Sequence, residues 1–381
     1  MLFELSLDDR NNRKGMIVLM SDMQRSVMLI PSLEPDERLP RYVSSLLDAG
    51  FPQVVIVDDG SAAPYQPIFQ QLEAMDGCTV LHHTVNKGKG VALKTGYAWI
   101  RVHCPEAAGV ITADADGQHT VGDCLKLSQA IETGKRGLYL GSRDFSLPHV
   151  PPKSRFGNRL TSFVFTVLYG HWLQDTQTGL RGFTMEDLPF MEAVAGERFE
   201  YEMNVLISCA RSRLPMVPVA IETVYENENA GTHFHPIRDS LRIYKVIFGS
   251  FFRFAGASLL SFLIDQAGYW LFSRILLGGI GLSGGTLIWT SGLLARVISS
   301  VCNFLLNRHL VFKLKGSAKT AVWRYGVLCL GIIGLSNLGV TVLDALGMND
   351  RLAKVLCDTL LYFLSFRVQD RWVFQEGNVH E

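Results

Sequence analysis

The chain has 381 residues, enough for two domains, and its 36 basic and 36 acidic residues cancel. The balance is uneven: residues 236–381 carry 15 Lys and Arg against 8 Asp and Glu, a net of +7, which leaves −7 on the first 235. An acidic half followed by a basic, apolar half argues against a nucleic-acid binder and for a catalytic domain anchored on a membrane with basic cytoplasmic loops.

In chain order, Met1–Lys14 is polar and charged, and the apolar run Met16–Met20 is too short for a signal peptide. Residues 1–26 are therefore expected to be an N-terminal extension. Short β-rich runs then alternate with helical patterns. Val27–Ile30 is a predicted strand ending at Pro31, followed by a helix over Arg41–Ala49. Val54–Val57 is a second strand, ending at Asp58-Asp59-Gly60-Ser61, and Thr79–His82 a third. A helix over Gly90–Val102 precedes a fourth strand, Gly109–Thr112, and a helix over Val121–Thr133 precedes Leu138–Leu140, which leads into Gly141-Ser142-Arg143. This alternation predicts an open, mostly parallel α/β sheet within residues 27–228. Ligands of such sheets bind beyond the carboxyl ends of the strands, so Asp58, Asp59, Asp114 and Asp116 converge on one crevice.

The most informative segment is Asp114-Ala115-Asp116-Gly117-Gln118-His119. An Asp-x-Asp at a strand end can hold one Mg²⁺ or Mn²⁺, an ion that takes few protein ligands and fills its shell with substrate phosphates. Asp116 is the expected direct ligand, with Asp114 bridging metal or ribose and Gln118 completing or supporting the shell. His119 is as well suited to orienting or packing as to ligation. Asn86-Lys87-Gly88-Lys89-Gly90 reads as a glycine-rich loop before a helix, where backbone N–H groups favour phosphate and Lys87 can reach a diphosphate. Arg143, and the cluster Lys153, Ser154, Arg155 and Arg159, suit an acceptor phosphate, the arginines through their planar guanidinium fork; basic residues beside a membrane also bind lipid headgroups. Seven cysteines without Cys-x-x-Cys spacing read as reduced thiols.

Residues 229–245, with His233, Phe234, His235, Arg238 and Arg242, read as an interfacial amphipathic segment. A membrane domain follows over 246–376, with four spans at about 248–276, 287–310, 324–346 and 352–373. The fourth is broken by Lys354, Asp358 and Arg367. Bases crowd between Arg308 and Arg324 and flank the first and last spans, which places the catalytic domain and both termini in the cytoplasm. Asn303–Phe312 echoes Ser365–Phe374, and Arg253-Phe254 echoes Arg324-Tyr325, so the domain reads as two similar helical hairpins. Asp265, Arg296 and Asp358 fall within the apolar spans, either lining a polar seam for a headgroup or pairing between helices.

The first half resembles a family 2 glycosyltransferase of the dolichol- or polyprenyl-phosphate mannose (or glucose) synthase type. The resemblance rests on Ile30-Pro31, Val57–Ser61, Asn86–Gly90, Asp114–His119, Gly141–Arg143, Ser154–Asn158 and Asp175-Thr176-Gln177-Thr178-Gly179. The second half resembles GtrA-like membrane domains through Arg253-Phe254, Asn303–Phe312 and Gln369–Phe374. The resemblance implies a GT-A catalytic domain, Rossmann-like and mostly parallel, followed by an all-α four-helix transmembrane domain. It implies a donor site of Pro31, Asp58, Asp59, Lys87, Asp114, Asp175 and Gln177, a metal site of Asp114, Asp116 and Gln118, and catalytic roles for Asp116, Arg143 and Glu202. The implied partners are a UDP- or GDP-linked sugar, a polyprenyl phosphate and the bilayer; a homo-oligomer is left open. The implied reaction is inverting transfer of the sugar to the polyprenyl phosphate at the cytoplasmic face. Two rivals stand beside it: transfer to a glycan or glycolipid hydroxyl, with a base near Glu200 or Glu202, and translocation of a lipid-linked sugar by the membrane domain.

Overall fold

The computed structural model describes residues 24–148, 150–222, 236–276, 284–312 and 318–374. The extension up to residue 23 and the interfacial segment up to residue 235, His233 and His235 included, lie outside the described residues. The chain divides into two compact units, one running to Ile243 and one from Tyr244, the second also taking in Val167–Gly170.

The first unit is a seven-stranded sheet between helices. Its strands are β1 (Ser26–Ser32), β2 (Val54–Asp58), β3 (Cys78–His82), β4 (Gly109–Thr112), β5 (Leu138–Ser142), β6 (Arg181–Thr184) and β7 (Met216–Ala220), and its helices are α1 (Arg38–Asp48), α2 (Gln66–Glu73), α3 (Lys89–His103), α4 (Val121–Thr133), α5 (Pro152–Tyr169), α6 (Leu188–Ala193) and α7 (Glu200–Ser212). The strand order is β3-β2-β1-β4-β6-β5-β7. Every pairing is parallel except those of β6, which runs against β4 and β5. Strands covered on both faces need near-continuous apolar runs, and all of β2 is buried, as is β1 apart from Pro31. Pro31 is tolerated because β4 has already ended opposite Leu29, so the missing N–H breaks no bond on that side. On α1, Leu39, Tyr42, Val43 and Leu46 recur at helical spacing and are buried against the sheet. At the start of α4 the Thr120 hydroxyl accepts from the Asp123 N–H at 3.1 Å and donates to its carboxylate at 2.9 Å, a reciprocal cap.

The five strands and three helices expected from sequence are present, with α1 and α3 starting slightly earlier than their patterns. Two strands were not legible. β6 is only four residues long and contains a glycine, and β7 carries Pro218, which marks an edge strand. All seven cysteines are free thiols, and burial pushes those of Cys78, Cys124 and Cys209 up to about 12.

The second unit has four long helices: α8 (Pro236–Leu271), α9 (Gly284–Leu306), α10 (Ala318–Ala345) and α11 (Asp350–Val368). Among the described residues three helical stretches are long and apolar enough to cross a membrane: Ile243–Ile275, Thr286–Val311 and Lys319–Ala345. The fourth predicted span is helical over 19 residues but carries Asp350, Arg351, Lys354, Asp358 and Arg367. The internal echo in the sequence reappears as geometry. Both α9 and α11 end in one π-helical turn, at Asn307–Val311 and Gln369–Val373. The equivalent amides touch one another, Asn307 Nδ2 donating to Gln369 Oε1 at 3.0 Å. Equivalent rings do the same, Phe312 stacking on Phe374 with centroids 5.1 Å apart. Phe304 packs on Tyr325 and Phe374, and its counterpart Phe366 packs on Phe254 and Phe312. Buried Asp265 and exposed Asp358 each reach a neighbouring helix. Asp265 meets Arg296 at 3.2 Å and accepts from Ser299 at 2.9 Å, while Asp358 accepts from Ser336 at 2.7 Å.

Candidate active site

Sheet topology brings the predicted residues to one edge. The carboxyl ends of β1, β2, β4 and β5 all point the same way. Because β6 runs in the opposite direction, the loop that precedes it, Asp175–Leu180, arrives at that same edge. Strands β2 and β3 extend the sheet on one side of β1 and β4 lies on the other, so the switch point of the α/β sheet falls between the Asp58-Asp59 and Asp114–Asp116 turns.

Asp58 and Asp59 are buried, at 1% and 4% exposure. Asp58 accepts from the Ser61 N–H at 2.8 Å and lies 2.9 Å from His82 Nδ1, whose Nε2 is 3.0 Å from Glu73. Burial pushes the Asp58 carboxyl up, but the bonds to Ser61 and His82 outweigh it and hold it below the usual carboxylate range. Burial pulls His82 down, and its two carboxylate neighbours outweigh that and raise it. Asp59 takes the N–H groups of Lys87 at 2.9 Å and Gly88 at 2.7 Å, and sits 2.7 Å from His83 Nδ1. These are N–H groups that the glycine-rich loop was expected to offer to phosphate; the anion they meet is the protein's own Asp59. Gly88 is needed there: its φ is +102°, and a Cβ would press on the Glu197 carbonyl at 2.6 Å. The Lys87 side chain is exposed.

The Asp114–His119 turn is built around Gly117 at φ +73°, and Asp116 accepts from the Gln118 N–H at 3.1 Å. Asp114 Oδ1 lies 2.7 Å from Lys89 Nζ, and its Oδ2 lies 3.5 Å from His119 Nε2. Burial would raise the Asp114 carboxyl, but the Lys89 ammonium and His119 together outweigh it and hold it well below the usual range. Asp116 is raised, by burial first and then by the charge on Asp114. Gly179 lies so close behind Asp114 that a Cβ there would collide with the carboxylate. Among the described residues no three His, Cys, Asp or Glu side chains form a metal-binding cluster. The donor set available at this turn is thus two mutually repelling carboxylates beside Gln118. That suits a hard divalent cation completing its shell with phosphate and water.

Glu202, in the first turn of α7, receives Lys89 Nζ at 2.9 Å, and its backbone carbonyl receives Arg181 Nη1 at 2.7 Å. Arg143 and Asp175, predicted separately for acceptor phosphate and donor sugar, are paired with each other. Arg143 Nε donates at 2.7 Å and Nη2 at 3.2 Å, and the Asp175 side chain is fully buried. Asp175 also accepts from the Gln177 N–H at 3.0 Å. Ser154, Arg155 and Arg159 sit on α5, where Arg155 Nη2 donates to the Leu147 carbonyl at 2.9 Å and Arg159 is exposed. Phe156, Leu160 and Phe163, at helical spacing on α5, are 69%, 40% and 59% exposed, beside exposed Lys153 and Arg159.

At this edge the motifs alone assign no role to Lys89 or Arg181. The Lys-Gly-Lys-Gly motif offers two lysines, and only the start of α3 at Lys89 decides which one turns inward.

Residues 28–187 match the profile of glycosyl transferase family 2, and residues 253–374 that of the GtrA/DPMS transmembrane domain. A UDP-N-acetylglucosamine–dolichyl-phosphate N-acetylglucosaminyltransferase of Methanococcus voltae is 28% identical over 215 residues, covering 52% of this chain and 85% of that protein. Glycosyltransferase AglJ of Haloferax volcanii is 24% identical over 214 residues, covering 56% and 67%. Among solved structures, glucosyl-3-phosphoglycerate synthase of Mycobacterium tuberculosis, crystallised with Mn²⁺, uridine diphosphate and glucosyl-3-phosphoglycerate, aligns at a TM-score of 0.45 and 14% identity over 62% of this chain and 82% of that one.

Proposed function

We propose that this chain, a family 2 glycosyltransferase domain joined to a GtrA/DPMS transmembrane domain, transfers a sugar from a UDP- or GDP-linked donor to a polyprenyl phosphate at the cytoplasmic membrane face, with inversion. The observation that carries this reading is the union in one chain of an acidic crevice at a sheet switch point with helices long enough to span a bilayer. The name of the Methanococcus relative, a dolichyl-phosphate transferase, supports a lipid-phosphate acceptor. So does the exposed stripe of Phe156, Leu160 and Phe163 flanked by Lys153 and Arg159, a pattern suited to a lipid surface.

In this reading Pro31 and Asp58 border the nucleotide, and Asp59 positions the loop that presents Lys87. Asp114 and Asp116, beside Gln118, hold Mg²⁺ or Mn²⁺, which when bound offsets charge on the departing diphosphate. Asp175 and Gln177 border the sugar, and Arg143, steered by Asp175, meets the acceptor phosphate with Ser154, Arg155 and Arg159. A phosphate monoester with a second pKa of about 6 is largely dianionic at neutral pH. One of its oxygens attacks the anomeric carbon, the bond from that carbon to the diphosphate oxygen breaks, and the electron pair leaves with the nucleoside diphosphate. No proton has to be removed, so orientation and electrostatics carry the rate. Transfer to a hydroxyl would need a base, and of the two candidates Glu202 is engaged by Lys89 and Glu200 by the Glu197 and Arg198 N–H groups. Glu202 is instead a positioning residue.

The test is transfer from radiolabelled nucleotide sugars into membranes supplied with undecaprenyl phosphate, with Mn²⁺ or with EDTA. A metal-dependent, mild-acid-labile lipid product is expected. Label entering a glycan without passing through polyprenyl phosphate would overturn the reading in favour of hydroxyl transfer.

A further inference from the structure

Lys89 stands at the centre of the charged edge, and the reaction as drawn above gives it no task. Its ammonium lies 2.7 Å from Asp114 Oδ1 and 2.9 Å from Glu202 Oε1, with only 16% of its side chain exposed. It reaches there from the first turn of α3, and Asp59 fixes the loop in front of that turn through Lys87 and Gly88. Asp114 also has His119 near Oδ2 and Gly179 behind it, and keeps 35% of its side chain exposed. A divalent cation arriving at Asp114 therefore meets a positive charge already in place. A nucleoside diphosphate changes this balance, because its phosphate oxygens offer the ammonium another partner and the cation further ligands.

We propose that Lys89 is a displaceable stand-in for the metal, which occupies Asp114 until the donor arrives and so couples cation binding to nucleotide binding. Glu202 is the second arm of the device, since it draws the ammonium partly away from Asp114. The proposal rests on the glycosyltransferase reading above. It makes Lys89 a positioning residue whose effect is a coupling between two ligands, and such a coupling is reciprocal.

The test uses the full chain in lipid nanodiscs, with free Mn²⁺ followed by electron paramagnetic resonance, alone and with saturating UDP or GDP. Wild type should bind Mn²⁺ weakly alone and markedly more tightly with one of the two nucleotides. Lys89→Gln should bind Mn²⁺ alone about tenfold more tightly, the order expected on removing one unit charge beside the ion in a partly solvated site. In that variant the gain from nucleotide should shrink by a similar factor. Glu202→Gln should move the other way, weakening Mn²⁺ binding in the absence of nucleotide, and Lys89→Arg should keep the coupling. General loosening of the site would weaken Mn²⁺ binding in both glutamine variants, and that result overturns the proposal, as does an unchanged coupling in Lys89→Gln. If Lys89→Gln does not fold, Glu202→Gln decides: unaltered or tighter Mn²⁺ binding without nucleotide overturns the proposal. A wild type that binds neither Mn²⁺ nor either nucleotide overturns the glycosyltransferase reading itself, a failure distinct from the others.

Discussion

In the α/β unit, strands β1 and β2 are buried almost end to end, while charged groups collect in pairs at one edge: Asp58 with His82, Asp59 with His83, Asp114 with Lys89, and Arg143 with Asp175. In the helical unit the arrangement is inverted. Little of α10 is buried, and Leu330, Ile333 and Leu338 point outward. What the helices share is a small set of amide, ring and polar side-chain contacts, the amides and rings coming from the repeated segments. Apolar burial drives folding only where the alternative is water. In a bilayer, lipid tails are as apolar as leucine, so packing and interhelical hydrogen bonds must hold helices together. One unit therefore folds through its apolar residues and works through its polar ones, whereas the other shows its apolar residues to lipid and coheres through polar and aromatic contacts.

The sharpest expectation is that removing an edge charge abolishes work without abolishing the fold. Asp116→Ala should lower sugar transfer about 10²–10³-fold, the scale of losing one preorganised electrostatic group. Its melting temperature should stay level or rise, because Asp116 is destabilised by burial and by Asp114. Transfer at wild-type rates would show that this edge is not the site. Asp175→Ala should affect both properties, because it strands Arg143 beside a buried vacancy. Breaking a buried pair costs about 3 kcal/mol, so denaturant titration should show a clear loss together with lost transfer. Loss of transfer at unchanged stability would mean that Arg143 finds another partner.

The same contrast explains how much could be read in advance. Strands such as Val54–Asp58 are continuous apolar runs and the apolar face of α1 repeats at helical spacing, so five of the seven strands, three of the helices between them and the acids at their ends were legible. What could not be read depended on who meets whom. Asp59 was legible as a donor-site acid beside the glycine-rich loop, but not which groups, Lys87, Gly88 and His83, would engage its two oxygens. Arg143 and Asp175 lie 32 residues apart and meet only because β6 reverses direction. Lys89 could not be told from Lys87 without the start of α3. In the membrane half the echo of Asn303–Phe312 in Ser365–Phe374 was visible, but not that the equivalent residues would touch one another.

That repetition yields a smaller, symmetric prediction. Phe304→Leu and Phe366→Leu remove equivalent rings from equivalent partners, Phe366 meeting Phe251 in addition, and should destabilise the helical unit by similar amounts, about 1 kcal/mol each. Asn307→Leu should cost less, about 0.6 kcal/mol, as interhelical hydrogen bonds in membranes do. Unfolding in mixed micelles would measure both. A strongly unequal pair of phenylalanine effects would show that the contacts are similar in form and different in weight.

The smallest effect lies at the edge of the soluble sheet, where Asp58 and His82 carry opposite shifts. Asp58 is held below its unfolded pKa of about 3.9. Its contribution is therefore present above that value and is lost as pH falls through the folded pKa. His82 is held above its unfolded pKa of about 6.5. Its contribution is full below that value and is lost as pH rises through the raised folded pKa. Both are present together only between roughly pH 4 and 6.5. His82→Gln should therefore destabilise the α/β unit most near pH 5.5, with the gap to wild type closing in mildly alkaline buffer. The His82 side chain is 38% exposed, so solvent screening keeps the difference to roughly half a kcal/mol. Denaturant titrations of wild type and variant at the two pH values measure it. A gap that is constant with pH would mean that His82 holds Asp58 as a neutral hydrogen-bond donor, and that the edge carries one fewer ion pair than its geometry implies.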